Sequence, residues 1–152
     1  MSGDGTQITA AFWRVPLERE ISVLAYIGPE GGTVELPETG LRLVVPADVV
    51  AARTPFRVTA RAGRIAAYEF EPDGSTFTPA LRVEQDPARL APPPDRGGRP
   101  ARMQLGYYED PSVIDEAAGV ATVAEVHRHL EGAETAFAVP HFSDYVFGWS
   151  AD

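Results

Sequence analysis

The sequence predicts an all-β fold, an antiparallel β-sandwich with one or two short helical turns. The chain has 152 residues, with 14 glycines and 14 prolines, and this content of turn residues is typical of many short strands. Apolar and polar residues alternate between the turns, as they do on half-buried strands. With 44% hydrophobic residues the chain can bury one core, which predicts a single domain over residues 1–152.

The predicted strands follow one another along most of the chain. Phe56 and Val58 fall on one strand face and Arg57 on the other, and Leu81 opposes Arg82 in the same way. Two or more sheets packed face to face are the expected architecture. The runs are Ile8 to Val15, Ile21 to Ile27, Thr33 to Leu36, Leu41 to Val45, Phe56 to Ala62, Ala67 to Glu71, Leu81 to Gln85, Arg102 to Tyr108, Ala121 to Leu130, Thr135 to Val139 and Tyr145 to Trp149.

Glycine and proline define the expected chain reversals between these runs. Gly31-Gly32 allows a positive φ in a tight reversal, and Pro46 ends a strand because proline donates no hydrogen bond to a ladder. Asp73-Gly74 predicts a hairpin between the strands on either side of it. These positions are therefore interpreted as determinants of the fold.

Helical structure is expected only in short pieces, at Pro46 to Arg53 and in a segment beginning at Pro111, and neither is long enough to organise a core. Residues 86–100 are too rich in Pro, Arg and Gly to pair in a sheet, so they are predicted to form a loop or a polyproline segment. A connecting role for this loop is the more common one, and a binding role for Pro92 to Pro94 is the alternative.

The composition excludes several classes of function. A net charge of -9 argues against nucleic-acid binding, and the absence of cysteine excludes disulfides and thiolate metal sites. No run approaches the roughly 20 apolar residues of a membrane span, and no basic segment precedes an apolar stretch at the N-terminus. We expect a soluble, cytoplasmic protein without cofactors, and no loop of the phosphate-binding type is present.

The tripeptide His141-Phe142-Ser143 is the most informative feature for chemistry. A serine that follows a carbonyl group can attack it, and an extended segment brings residues i and i+2 to one face, so His141 and Ser143 can approach each other. The attack requires a distorted peptide bond. In an unbroken strand, the alternation of inward and outward residues would leave Phe142 pointing outward. A bulge near Pro140 would turn Phe142 inward and bend the chain, and this bend is where the peptide bond could be distorted.

A purely structural interpretation of the same residues remains open. Phe142 would then fill the core, His141 would hydrogen-bond a loop, and Tyr145 would form a corner hydrogen bond of the type found in Greek-key sandwiches. A conventional hydrolase with an external substrate is disfavoured, because no carboxylate other than the adjacent Asp144 is placed by the sequence to orient His141.

A second polar cluster is expected on the run from Ala121 to Leu130. His127 and His129 share a strand face with Glu125 and Glu131, and these are side chains that zinc accepts as ligands. Such a face more often contacts only water, and the sequence does not show where a further metal ligand would lie. We therefore expect no metal site.

Several motifs in a fixed order resemble the ZU-five domain, a β-sandwich module that also occurs in bacterial proteins. The resemblance covers about residues 21–149 and departs from the family at Asp48-Val49, where many members have Gly-Ala. The motifs are Ile27-Gly28-Pro29-Glu30-Gly31-Gly32-Thr33-Val34, Leu41-Arg42-Leu43-Val44-Val45-Pro46-Ala47, Tyr68-Glu69-Phe70-Glu71-Pro72-Asp73-Gly74, then Phe77 and Pro79, and finally His141-Phe142-Ser143 with Tyr145.

The resemblance implies a non-catalytic interaction or scaffold module of the bacterial type, with a protein partner of unknown identity. The partners of animal ZU-five proteins are not carried over. Some members of the family cleave their own backbone between the Phe and Ser of this tripeptide. By this resemblance Ser143 would be the nucleophile and His141 the base. Self-processing between Phe142 and Ser143 is thus the alternative function.

Overall fold

Antiparallel strands account for nearly all of the regular structure. The computed structural model describes residues 5–72, 74–93 and 101–149, and these form an all-β sandwich, as the sequence predicts. The strands are β1 (Thr6–Ala10), β2 (Phe12–Leu17), β3 (Ile21–Ile27), β4 (Gly32–Leu36), β5 (Leu41–Val45), β6 (Thr54–Ala60), β7 (Gly63–Ile65), β8 (Ala67–Glu71), β9 (Thr76–Gln85), β10 (Met103–Tyr108), β11 (Ile114–Asp115), β12 (Val120–Val123), β13 (Glu125–Arg128), β14 (Ala136–His141) and β15 (Asp144–Trp149).

The strands form two main sheets and a short ribbon. The larger sheet has the order β11-β12-β1-β15-β8-β6-β3, and β10 pairs with both β15 and β13. The smaller sheet has the order β14-β9-β5-β4, and β2 pairs with β7. Because β14 and β15 are consecutive but belong to different sheets, the chain crosses the sandwich at residues 142–143.

The main core lies between the two sheets. The smaller sheet contributes aliphatic side chains such as Leu43 and Val83, and the larger sheet contributes aromatic ones such as Phe56, Phe70 and Phe147. A second, smaller cluster that includes Ile8, Ala67, Tyr108, Val123 and Val146 covers the opposite face of the larger sheet. The larger sheet is therefore buried on both faces around β15, where residues 145–149 are all buried.

The turn residues behave as the sequence predicts at the reversal before β4 and at the end of β5. Gly31 has a φ of +81°, and its N–H donates to the Gly28 carbonyl at 2.9 Å. Pro46 directly follows the last residue of β5. Asp48 has a φ of +68°, a left-handed conformation that glycine adopts freely and that aspartate adopts more readily than most other residues.

The predicted hairpin at Asp73-Gly74 is wrong. The strand before it, β8, pairs with β6 and β15 in the larger sheet, whereas β9 pairs with β5 and β14 in the smaller one. The segment between them is a crossover, in which Ser75 N–H donates to the Pro72 carbonyl at 3.3 Å. Asp73 itself lies outside the described residues.

The expected helical turn at Pro46 to Arg53 is also wrong, since that segment consists of turns and bends. The helical turns of the described residues are two 3₁₀ turns, Pro87–Arg89 and Pro111–Val113, each capped by an aspartate. The predicted loop 86–100 is anchored at its start, because Leu90 is buried and bridges to Trp13. Residues 94–100 of that loop lie outside the described residues.

Most strand bounds agree with the predicted runs, and β3, β5 and β8 match them at both ends. The run Ile8 to Val15 is divided into β1 and β2, and the run Ala121 to Leu130 into β12 and β13. The short strands β7 and β11 were not predicted. Over the described ranges, no helix has the length and apolar character that crossing a lipid bilayer requires.

Candidate functional site

The tripeptide His141-Phe142-Ser143 lies where the chain leaves β14 and enters β15. The pairing of β14 with β9 shifts register between Val139 and His141, so a bulge is present next to Pro140. Phe142 is only 1% exposed and contacts the rings of Phe56, Phe70 and Phe77. The predicted bulge is therefore confirmed, and it turns Phe142 into the core.

Backbone hydrogen bonds hold this corner against the crossover between β8 and β9. Phe142 N–H donates to the Ser75 carbonyl at 2.8 Å, and Gly74 N–H donates to the Phe142 carbonyl at 3.0 Å. Phe70 N–H donates to the Ser143 carbonyl at 3.1 Å. The carbonyl group that a Ser143 attack would use is therefore already polarised by one amide donor.

Tyr145 closes the corner from within the core. Its hydroxyl donates to the His141 carbonyl at 2.7 Å and lies 3.5 Å from His141 Nδ1. The Tyr145 side chain is buried, and this burial raises its pKa above the ordinary value of 10.0, so the hydroxyl stays protonated as a donor. The corner hydrogen bond expected in the structural interpretation is thus present.

His141 lies between an aromatic ring and a carboxylate. The Tyr107 ring packs edge-to-face against the imidazole, with 4.9 Å between the ring centroids. His141 Nε2 lies 3.6 Å from Glu125 Oε1, and His127 Nε2 lies 3.5 Å from the same oxygen. Glu125 reaches His141 because β10 pairs with both β13 and β15. Sequence reasoning considered Asp144 for this position and did not connect Glu125 with His141.

Ser143 is directed at a different partner. Its side chain lies beside the Tyr107 hydroxyl, which itself donates to Glu109 Oε2 at 2.7 Å. The hydrogen bond to Glu109 is the main cause that raises the pKa of Tyr107, and Ser143 opposes it. Among the hydrogen bonds of residues 101–149, none joins His141 to Ser143. These side chains line an open depression of about 610 Å³.

The second polar cluster comes together only in part, since His127 lies beside Glu125 but His129 contacts a backbone carbonyl. Because β13 ends at Arg128, the alternation that placed His127, His129 and Glu131 on one face stops there. His129 Nδ1 lies 3.0 Å from the Leu130 carbonyl oxygen, whereas His127 is half-buried beside the Tyr145 ring. Within the part of the chain that the structure describes, no three His, Asp or Glu side chains form a group that could hold a metal ion.

Burial gives His127 a pH-dependent contribution to stability. Burial is the main cause that lowers the pKa of His127 below 6.5; the Glu125 carboxylate opposes the shift, and the positive charge of His141 adds to it. The folded protein therefore binds fewer protons than the unfolded chain just below pH 6.5. This contribution is fully present above that pH and is lost as the pH falls towards the folded pKa.

We expect wild-type protein to lose stability between about pH 7.5 and about pH 5.5 more steeply than His127→Gln. Urea unfolding at both pH values measures the difference. The matched control is His129→Gln, which alters a histidine just beyond β13 and keeps the wild-type slope. An equal slope for wild type and His127→Gln would contradict the assigned role of burial.

The fold and the corner together define an antiparallel β-sandwich in which a His-Phe-Ser corner is closed by a tyrosine. No protein-family model matches this sequence, and no curated protein shows significant similarity to it.

Proposed function

We infer that the protein is a ZU-five-like β-sandwich that acts as a non-catalytic interaction or scaffold module for a protein partner. One support for the family assignment is the backbone at Asp48. Many ZU-five domains have glycine at this position, and here the residue adopts a φ of +68° that suits glycine. The departure in residue type is thus accompanied by a backbone conformation that glycine adopts readily.

Asp48→Gly is expected to raise the free energy of unfolding by about 0.5–1 kcal/mol, because glycine relieves the left-handed conformation. Asp48→Ala is the control, and it should be no more stable than wild type because alanine keeps a Cβ in that conformation. Thermal or urea unfolding of the three proteins checks the order of stability. Destabilisation by Asp48→Gly would count against this turn geometry.

The observation that carries the non-catalytic assignment is the set of contacts made by the corner. Tyr145 bonds the His141 carbonyl, Phe142 fills the core, and Ser143 contacts Tyr107 rather than His141. None of the described residues 141–144 has a positive φ, so the corner carries no left-handed strain. These contacts support a structural role for the tripeptide.

If the protein is an interaction module, its folded state should select a particular class of extended peptide. The test is selection from a phage-displayed library of random linear peptides on immobilised wild-type protein. We expect a recurrent motif on wild-type protein and none on protein unfolded in urea, because strand addition requires a formed sheet edge. The absence of a recurrent motif on the folded protein would count against this function.

Self-cleavage is the second candidate, and the Gly74 N–H donor to the Phe142 carbonyl favours it. Ser143 Oγ would attack the Phe142 carbonyl carbon and the C–N bond to Ser143 would break. The proton from Oγ would pass through a base to the departing amine. Water would then hydrolyse the ester to the Phe142 carboxylate and the Ser143 hydroxyl. His141 is the base that the family resemblance implies, and Tyr107 is the group that Ser143 contacts.

Hydroxylamine discriminates between the two candidates, since it attacks an ester at Phe142 and leaves a hydroxamate on that residue. Self-cleavage predicts a hydroxamate fragment ending at Phe142 from wild type and from Ser143→Cys, but none from Ser143→Ala. The control Ser112→Ala alters an exposed serine elsewhere and should behave as wild type. The non-catalytic function predicts that none of these proteins gives the fragment.

A further inference from the structure

The two main sheets end in strands of different character. The smaller sheet ends in β14, which carries Pro140 and a bulge, and in β4, which carries the exposed Glu35. The larger sheet also ends in β11, which is only two residues long, and in β13, which is four residues long and carries Glu125 and Arg128. Short strands, proline, bulges and charges are the usual means by which proteins prevent pairing at a free edge.

The strand at the other side of the larger sheet, β3, has none of these protections. It runs for seven residues, Ile21–Ile27, without proline or charge, and it pairs with β6 along its whole length. Its second edge has no partner strand among the described residues. A long, regular and uncharged edge of this kind is a template for an additional strand.

The side chains of β3 extend this apolar surface. Leu24 is 42% and Tyr26 is 54% exposed, and they lie on the same outward face. Val23 and Ala25 face the core but remain half-buried. An added strand would cover apolar area on both faces of β3, and apolar burial of this kind favours association.

Two arginines place positive charge next to this edge in a chain whose net charge is -9, and the exposed Glu71 of β8 lies opposite Arg57 on the side away from β3. The Arg53 guanidinium lies over the Tyr26 ring at 5.2 Å, and the exposed Arg57 is the cross-strand partner of Leu24. Neither arginine forms an ion pair with another described residue. Carboxylates of a bound segment would supply the missing partners.

We propose that β3 docks an extended segment of a partner protein that alternates apolar and acidic residues, and that this segment adds to the larger sheet as a further strand. A second copy of this chain fits the edge less well. The β3 of a second copy has no acidic residue and would offer no carboxylate to Arg53 or Arg57. This inference depends on the proposed interaction function and names its surface.

The probe is a synthetic peptide in which valine and glutamate alternate, titrated into isotope-labelled wild-type protein and followed by amide chemical shifts. The largest shifts are expected in Ile21–Ile27, with affinity that falls as salt rises. A valine–lysine peptide of the same length should bind more weakly. Substituting Leu24→Glu should weaken binding of the acidic peptide by about tenfold or more, since it places a negative charge on the edge, opposite Arg57 and against the glutamates of the peptide.

Val15→Glu is the matched control, because Val15 is 75% exposed on β2, which pairs with β7 and not with β3. It should leave the affinity unchanged. Shifts confined to other strands, equal effects of Val15→Glu and Leu24→Glu, or a protein that is dimeric through β3 would overturn this surface while leaving an interaction function in place. If neither this peptide nor any library peptide binds, the interaction function fails together with the surface.

Discussion

Phe142→Ala is expected to lower the free energy of unfolding by about 3–5 kcal/mol, the usual cost of truncating a fully buried phenylalanine. Phe142 is 1% exposed and packs against three other aromatic rings between the sheets. Alanine would leave a cavity at the point where the chain crosses from β14 to β15. Urea unfolding monitored by circular dichroism gives the change.

Phe142→Leu is the matched variant, since leucine retains much of the buried volume and should cost clearly less than alanine. Phe77→Ala provides a second comparison, because Phe77 contacts the same ring but is half-buried. A loss below about 1 kcal/mol for Phe142→Ala would contradict the packing of the corner, because surface positions show effects of that size.

Tyr68→Phe is expected to cost about 1–3 kcal/mol, because it leaves a buried amide oxygen without a donor. The Tyr68 hydroxyl lies 2.7 Å from Gln85 Oε1 and 2.9 Å from Thr39 Oγ1, and all three side chains are buried. Gln85 Nε2 in turn donates to the Thr39 carbonyl at 2.6 Å. The network links β8 of the larger sheet with β9 of the smaller sheet across the core.

Tyr26→Phe is the control for this prediction. Tyr26 is exposed and makes no hydrogen bond of this kind, so removing its hydroxyl should change the free energy of unfolding by less than about 0.5 kcal/mol. Denaturant midpoints of the two variants give the comparison. Equal midpoints for Tyr68→Phe and wild type would show that the network contributes nothing to stability.

Local patterns in the sequence predict most strands, because alternation and turn residues act within a few positions. The bounds of β3, β5 and β8 follow from such patterns. The assignment of strands to sheets does not, as the segment at residues 72–75 shows. A glycine-containing turn is compatible with both a hairpin and a crossover, and only the long-range pairing of β8 with β15 decides between them.

The same limit applies to the candidate site. The phase of the last strands indicates a bulge near Pro140 and the burial of Phe142, since both depend on residues close in sequence. Glu125 and Tyr107 could not be predicted as neighbours of His141 and Ser143. Their positions depend on the register of β10 against β13 and β15.

The tripeptide that first indicates self-cleavage therefore has an alternative role that accounts for each of its residues. His141 supplies the carbonyl of the tyrosine corner, Phe142 fills the core, and the Ser143 backbone joins the corner to β8. The proposed docking strand, β3, lies at the end of the larger sheet and is not part of the corner.

The intact mass of purified wild-type protein, followed over several days in neutral buffer, tests the central claim most directly. A structural corner predicts one species with the mass of the complete chain, identical in behaviour to Ser143→Ala. The appearance of two species that separate between Phe142 and Ser143, absent from Ser143→Ala, would contradict the claim and establish self-processing.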